Sequence, residues 1–96
     1  MRIFKGQSSI RLTLKTYCNL QGFTSAGIRY QKPNGKTGGF NAFVSDTEKG
    51  LISYECLEGD IDSSGWWAFW AFVTFDDGRT ALGQAAKVFI WNEGAG

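Results

Sequence analysis

Apolar and polar residues alternate with a period of two along most of the chain, and no helical period is sustained. Ile10, Leu12 and Leu14 alternate with Arg11, Thr13 and Lys15, the pattern of a half-buried strand. A turn-rich link at 19–25 follows. Ala26, Ile28 and Tyr30 then alternate with Gly27, Arg29 and Gln31. That strand stops at Lys32-Pro33-Asn34-Gly35-Lys36, where Pro33 and Asn34 suit the central turn positions and Gly35 can take a positive φ. Phe40, Ala42 and Val44 form a third alternating set, 45–50 turns the chain, and Ile52, Tyr54 and Cys56 form a fourth. Residues 58–65 read as a loop or corner. The run 66–75 is apolar on both faces, and Asp77-Gly78 separates it from a last strand-like segment, 80–91. Regular strands with turn signals every 8–12 residues predict a sandwich or a barrel.

The Asp77-Gly78 hairpin fixes which side chains share a face. With these two as the loop, Phe75 is expected opposite Thr80, Val73 opposite Leu82, Phe69 opposite Ala86 and Trp67 opposite Val88. Ala71 and Ile90 join them in a core wall. The other face then carries Trp66, Ala68, Trp70, Phe72 and Thr74 beside Ala81, Gly83, Ala85, Lys87, Phe89 and Trp91. A sheet in a sandwich buries one face, so Trp66, Trp70, Phe72, Phe89 and Trp91 are left facing outward, unless the N-terminal segment with Ile3 and Phe4 lies over them. Lys87, opposite Ala68, is within reach of Trp66 or Trp70 for a cation–π contact. An apolar patch of this size marks a contact surface. Trp66, Trp70, Phe72, Lys87, Phe89 and Trp91 are the candidate protein interface.

Composition narrows the chemistry. Ninety-six residues predict one domain, 1–96, with 1–6 and 93–96 as flexible ends. There is no histidine, which removes Ser-His-Asp and Cys-His catalysis and every His-containing metal site. Cys18 and Cys56 cannot build a structural zinc site alone and are expected as reduced thiols on the inward sides of their strands. The chain is nearly neutral at +1, but unevenly so. Residues 1–45 hold seven basic side chains and no acidic one; residues 46–96 hold all nine acidic ones with only Lys49, Arg79 and Lys87. Interleaving of strands from the two halves would mix these charges on the surface. Met1 to Gly6 has no apolar stretch of signal-peptide length, which sets the expectation of a cytoplasmic protein.

Each candidate chemistry has a simpler account. Glu58, Asp60 and Asp62 lack the spacing of a calcium loop and read as a solvated turn. Asp60 with Asp62, and Asp76 with Asp77, sit in loops and not across a cleft as glycoside hydrolysis requires. Gly35-Lys36-Thr37 lacks the earlier glycine of a phosphate loop, where Tyr30 stands. Arg11, Lys15, Arg29 and Lys32 lack the stacking aromatics of a single-strand nucleic-acid face. No enzyme, cofactor, metal, nucleic-acid or membrane function is expected.

Three segments form an ordered series: Gly6-Gln7-Ser8-Ser9-Ile10-Arg11-Leu12, Ile28-Arg29-Tyr30-Gln31-Lys32-Pro33-Asn34-Gly35, and Lys49-Gly50-Leu51-Ile52-Ser53-Tyr54. The stretch from Gly59 to Phe75 and the Asp77-Gly78-Arg79 turn complete it. The series resembles small proteins of tailed phages and prophages, and is similar to the immunoglobulin-like N-terminal domain of phage baseplate upper proteins. Its most specific parts are the Lys-Pro-Asn-Gly turn and the Gly-Asp-x-Asp-x-x-Gly-x-Trp corner. The resemblance implies an all-β, immunoglobulin-like antiparallel sandwich of about seven strands. It also implies a virion structural or accessory protein (tail, baseplate, neck or decoration component), assembled from the host cytoplasm. Its partners would be other virion proteins, or copies of itself meeting through the aromatic face. Trp66, Ala68 and Trp70 depart from the small or polar residues usual there, which points to a surface particular to this chain. The alternative expectation is a carbohydrate-binding module using exposed tryptophans, with Thr74, Lys87 and Asn92 the polar groups available to orient a sugar.

Overall fold

The alternating segments become strands of two stacked sheets. The structure, a computed structural model, describes residues 3–8 and 10–92. Among them run β1 (Ile3–Phe4), β2 (Arg11–Lys15), β3 (Phe23–Gln31), β4 (Thr37–Asn41), β5 (Phe43–Asp46), β6 (Leu51–Glu55), β7 (Gly65–Phe75), β8 (Thr80–Leu82) and β9 (Ala86–Trp91). The larger sheet has the order β1-β9-β7-β3-β4, with β8 also paired to β7; the smaller is β2-β6-β5. All pairs are antiparallel except β1 with β9. The fold is the expected all-β, immunoglobulin-like sandwich.

Nine strands replace the expected seven for local reasons. The run holding Phe40, Ala42 and Val44 is shared between the sheets, switching at Ala42, whose N–H donates to Ala26 O at 3.0 Å. Residues 80–91 are split by a bulge. Ile3 and Phe4, expected to be flexible or to cover the aromatic face, instead pair edge-on with Ile90 and Trp91. The expected loose end at 93–96 lies outside the described residues.

The β7–β8 turn corrects the expected register. Phe75 N–H donates to Arg79 O (2.9 Å) and Gly78 N–H to Phe75 O (3.0 Å), so the loop has three residues, 76–78, with Gly78 at φ +86°. A three-residue loop closing on a glycine in the left-handed region is the common alternative to a two-residue turn. Val73 therefore faces Ala81, and Phe72 faces Leu82. Leu82, expected inside, stands outside; Ala81, expected outside, packs on the core. Gly83 also lies against the inner Ala71, to which its N–H donates at 2.9 Å. One extra residue across 83–85 then restores the expected pairing, so Phe69 meets Ala86, Trp67 meets Val88 and Trp66 meets Phe89.

The core is aromatic and crosses both sheets. Trp67 stacks on Phe69 (5.7 Å) and meets Tyr30 (5.4 Å). Tyr30 meets Phe40 (4.9 Å), and Phe40 stacks on Tyr54 of the smaller sheet at 4.4 Å and 4°. Ile28, Ile52, Ile61, Leu20, Val73 and Ile90 close the space around these rings with no more than 1% exposure. Cys56 is buried and Cys18 partly buried, both as free thiols. Burial pushes the Cys56 thiol up to about 11, so it stays protonated and inert at neutral pH. Charges from the two halves of the chain do interleave: Arg11 pairs with Glu55 (2.8 Å) and Lys32 with Asp62 (2.7 Å).

Gly50 shows how tightly β2 is tied to the β5–β6 turn. It sits at φ +71°, its carbonyl accepts Thr16 N–H (2.8 Å) and Thr16 Oγ1 (2.9 Å), and a Cβ there would lie 2.1 Å from Cys18 O. Gly35, at φ +88°, has open space around it. Gly35→Ala is expected to cost about 1–2 kcal/mol for the left-handed backbone alone. Gly50→Ala should cost clearly more, because backbone must also move. Urea unfolding followed by tryptophan fluorescence measures both.

Candidate functional site

Strand β7 supplies the centre of the outer face. Its inner set, Trp67, Phe69, Ala71, Val73 and Phe75, is buried, so the pleat turns Trp66, Ala68, Trp70, Phe72 and Thr74 outward. Cross-strand pairing sets their neighbours. Trp66 lies beside Phe89, Ala68 between Lys87 and Gln31, Trp70 beside Arg29, and Phe72 between Leu82 and Gly27. Phe4 extends the row beyond Trp91. All six predicted interface residues therefore share one face. Phe4, Arg29 and Leu82 belong to it as well.

The rings form a ladder at one end. Trp66 meets Phe89 edge to face at 5.2 Å and 74°, and Phe89 meets Trp91 at 5.0 Å and 73°. Trp66 remains 61% exposed and Phe89 37%. Trp70, Phe72 and Trp91 are half-buried by their neighbours on the face. The expected contact of Lys87 with Trp66 or Trp70 does not form. Among the described residues the Lys87 ammonium makes no ion pair or ring contact. Arg29 takes the cation–π role, its Cζ 3.7 Å from the centroid of Phe72. Trp66, Trp67, Ala68 and Lys87 line an open depression of about 400 Å³. None of the strand residues on this face is acidic, so Arg29 and Lys87 leave it positive.

Two loops lock the ladder end. Lys32 Nζ reaches Asp62 Oδ2 at 2.7 Å and lies 5.7 Å from the Trp67 ring. Trp67 Nε1 donates to Ser63 O at 2.9 Å. Pro33 packs against Gly65, at φ +117°, where a Cβ would lie 2.9 Å from Pro33 Cγ. The Lys-Pro-Asn-Gly turn and the acidic corner thus meet each other in space. In the corner, Asp60 Oδ2 accepts Tyr54 Oη–H (2.5 Å) and Leu57 N–H (2.7 Å). The carboxylates of Asp60 and Asp62 are consumed by turn and ion-pair bonds. Among the described residues no group of three or more Cys, Asp or Glu is placed to hold a metal ion.

No family model matches this sequence, and no curated protein matches it. Among solved structures the chain is similar to the crystal structure of CopC from Methylosinus trichosporium OB3b, with a TM-score of 0.59 and 13% identity over 98% of this chain and 87% of that one. At that identity the likeness shows a shared fold and nothing more. The expected role in a phage particle is not upheld: the structure matched is CopC, and no comparison points to a virion, tail or baseplate. The physical reason lies in the motifs themselves. The turn and the corner bind each other and the core, so they report how a sandwich end is closed and not where it is used. The carbohydrate-binding alternative is likewise unsupported. The edge-to-face ladder offers a sugar ring no pair of coplanar platforms.

The Lys32–Asp62 pair has a pH signature. The Lys32 hydrogen bond holds the Asp62 carboxyl below its ordinary 3.8, and Asp62 raises Lys32 above its ordinary 10.5. A lowered carboxyl stabilises the fold above its ordinary value and loses that contribution as pH falls through it; a raised amine stabilises below its own and loses it as pH rises. The stability difference between wild type and Asp62→Asn is therefore expected to be flat at neutral pH. It should shrink below about pH 4 and above about pH 10.5, in urea unfolding across that range.

Proposed function

We propose that this chain is a non-catalytic binding domain that docks protein through the outer face of its larger sheet, the occupant being a second copy of itself. The observation that carries the reading is the ladder of exposed Trp66 and Phe89 and half-buried Trp91, continued by Trp70, Phe72 and Leu82 along β7 and β8. Tryptophan and phenylalanine are the residues that anchor protein interfaces. The sheet face that carries these rings is also large enough for such a contact. Eleven residues of β7 extend roughly 36 Å at about 3.3 Å per residue, and five strands about 4.8 Å apart span some 20 Å. The rectangle that encloses the whole face, on the order of 700 Å², is comparable with the roughly 800 Å² per partner of a standard interface.

A catalytic reading has no matching support. The chain has no histidine, and the side chains of Asp60, Asp62 and Asp77 are committed to hydrogen bonds within loops.

Each large ring buried at such an interface contributes about 1.5–3 kcal/mol before association costs. Sedimentation equilibrium is expected to show concentration-dependent association of the wild type. Trp70→Ser with Phe89→Ser is expected to leave a folded monomer, checked by near-ultraviolet circular dichroism. A wild type that stays monomeric to millimolar concentration refutes the reading.

A further inference from the structure

The acidic corner carries a surface feature that its own chain does not use. Leu57 and Glu58 open the turn that Asp60 N–H closes on Leu57 O (3.1 Å), with Gly59 at φ +87°. Leu57 is 65% exposed, and among the described residues the Glu58 carboxylate makes no hydrogen bond or ion pair. This loop is held rigidly, because Asp60 is bound at once to the Tyr54 hydroxyl and the Leu57 N–H. The outer face offers the complementary feature: a depression with walls of Trp66 and Ala68 and the ammonium of Lys87 at its side.

Resting on the docking reading above, we infer that the corner of one copy plugs the depression of the other. Leu57 lies against Trp66 and Ala68, and Glu58 pairs with Lys87. Charge complementarity selects this occupant. Two outer faces laid directly on each other would oppose Arg29 and Lys87 to their own kind, with no acidic strand residue to neutralise them. The corner supplies a carboxylate beside an apolar side chain, which a Trp-walled socket with a lysine at its rim requires. Plug and socket also sit at the same end of the sandwich, since the corner leads straight into Gly65 and Trp66. A two-fold axis between them therefore makes the exchange reciprocal and closes the assembly at two subunits. The plug is ordered before binding, so little conformational freedom is lost on docking.

Sedimentation equilibrium on the full chain tests this with four proteins besides wild type: Glu58→Lys, Lys87→Glu, the double variant carrying both, and Trp66→Ser. Each charge reversal sets like charges together across the contact and is expected to raise the dimer dissociation constant at least about tenfold. The double variant restores the pair with its sign exchanged and is expected to return most of the affinity. Added salt should weaken the wild-type dimer and strengthen the single variants, whose like-charge repulsion it screens. If Trp66→Ser abolishes the dimer while both charge reversals associate like wild type, the corner is not the occupant and the docking reading stands. If the double variant is as weak as the two single losses combined, the pairing of Glu58 with Lys87 is refuted. A wild type that never associates overturns both readings at once.

Discussion

The structure depends on one strand meeting two environments at once. β7 runs through the middle of the larger sheet, and its pleat sends Trp67, Phe69, Ala71, Val73 and Phe75 into the core. A sandwich asks for apolar residues on that side only. The other side of the same strand holds Trp66, Ala68, Trp70 and Phe72, where solvent would favour polar groups. Because the two sets are interleaved, neither can be turned without turning the other: a one-residue slip of the strand would exchange them entirely. The inner set, with Trp67 in the aromatic chain that reaches Tyr54, therefore fixes where the outer rings stand. The outer face is a consequence of the core register.

That register is pinned by turn chemistry. The β3–β4 and β7–β8 loops are built alike. In each, a glycine N–H donates back to the residue before the loop, Gly35 to Lys32 and Gly78 to Phe75. In each, a side-chain oxygen at the middle position accepts the N–H two residues on, Asn34 from Lys36 and Asp77 from Arg79. Both glycines sit near φ +87°. The motifs on which the expected resemblance rested are these closures and the corner that the β3–β4 turn touches. Their chemistry is explained inside the fold, which is why the likeness could not carry a cellular role with it.

Much of this was legible in the sequence, and the parts that were not have physical causes. Alternation alone placed the inner and outer sets of β3 and β6, because a half-buried strand writes its period directly into the residues; in β7, apolar on both faces, the sets came from hairpin pairing with the last strand. The far half of the hairpin was also legible, down to Trp66 beside Phe89. The near half was not. Asp76-Asp77-Gly78 can close a two- or a three-residue loop, and alternation in Thr80-Ala81-Leu82 is too weak to choose between Ala81 and Leu82 as the inner residue. The bulge at 83–85 was hidden because Gly, Gln and Ala carry no strong pattern. Arg29 was seen as a solvated charge; that it lies over Phe72 follows from pairing between strands far apart in the chain, which no local signal reports. Glu58 read as part of a solvated turn, and Leu57 beside it carried no signal, for the same reason.

The corner also shows how a buried contact sets a surface one. Phe40 stacks on Tyr54 in the core, and the Tyr54 hydroxyl binds Asp60. Asp60 in turn fixes Leu57 N–H, and the loop presents Leu57 and Glu58 to solvent in a single arrangement. Burial and the Asp60 bond push the Tyr54 phenol up to about 12, so this link stays intact across the neutral range. At the opposite end of the same argument, Lys32 ties Asp62 to Trp67 and so fixes the strand that carries Trp66. Plug and socket are thus referred to one aromatic core through two short chains of polar bonds. Surfaces positioned in this way lose little freedom when they meet, and a modest patch of rings with a single charge pair then suffices for a specific contact.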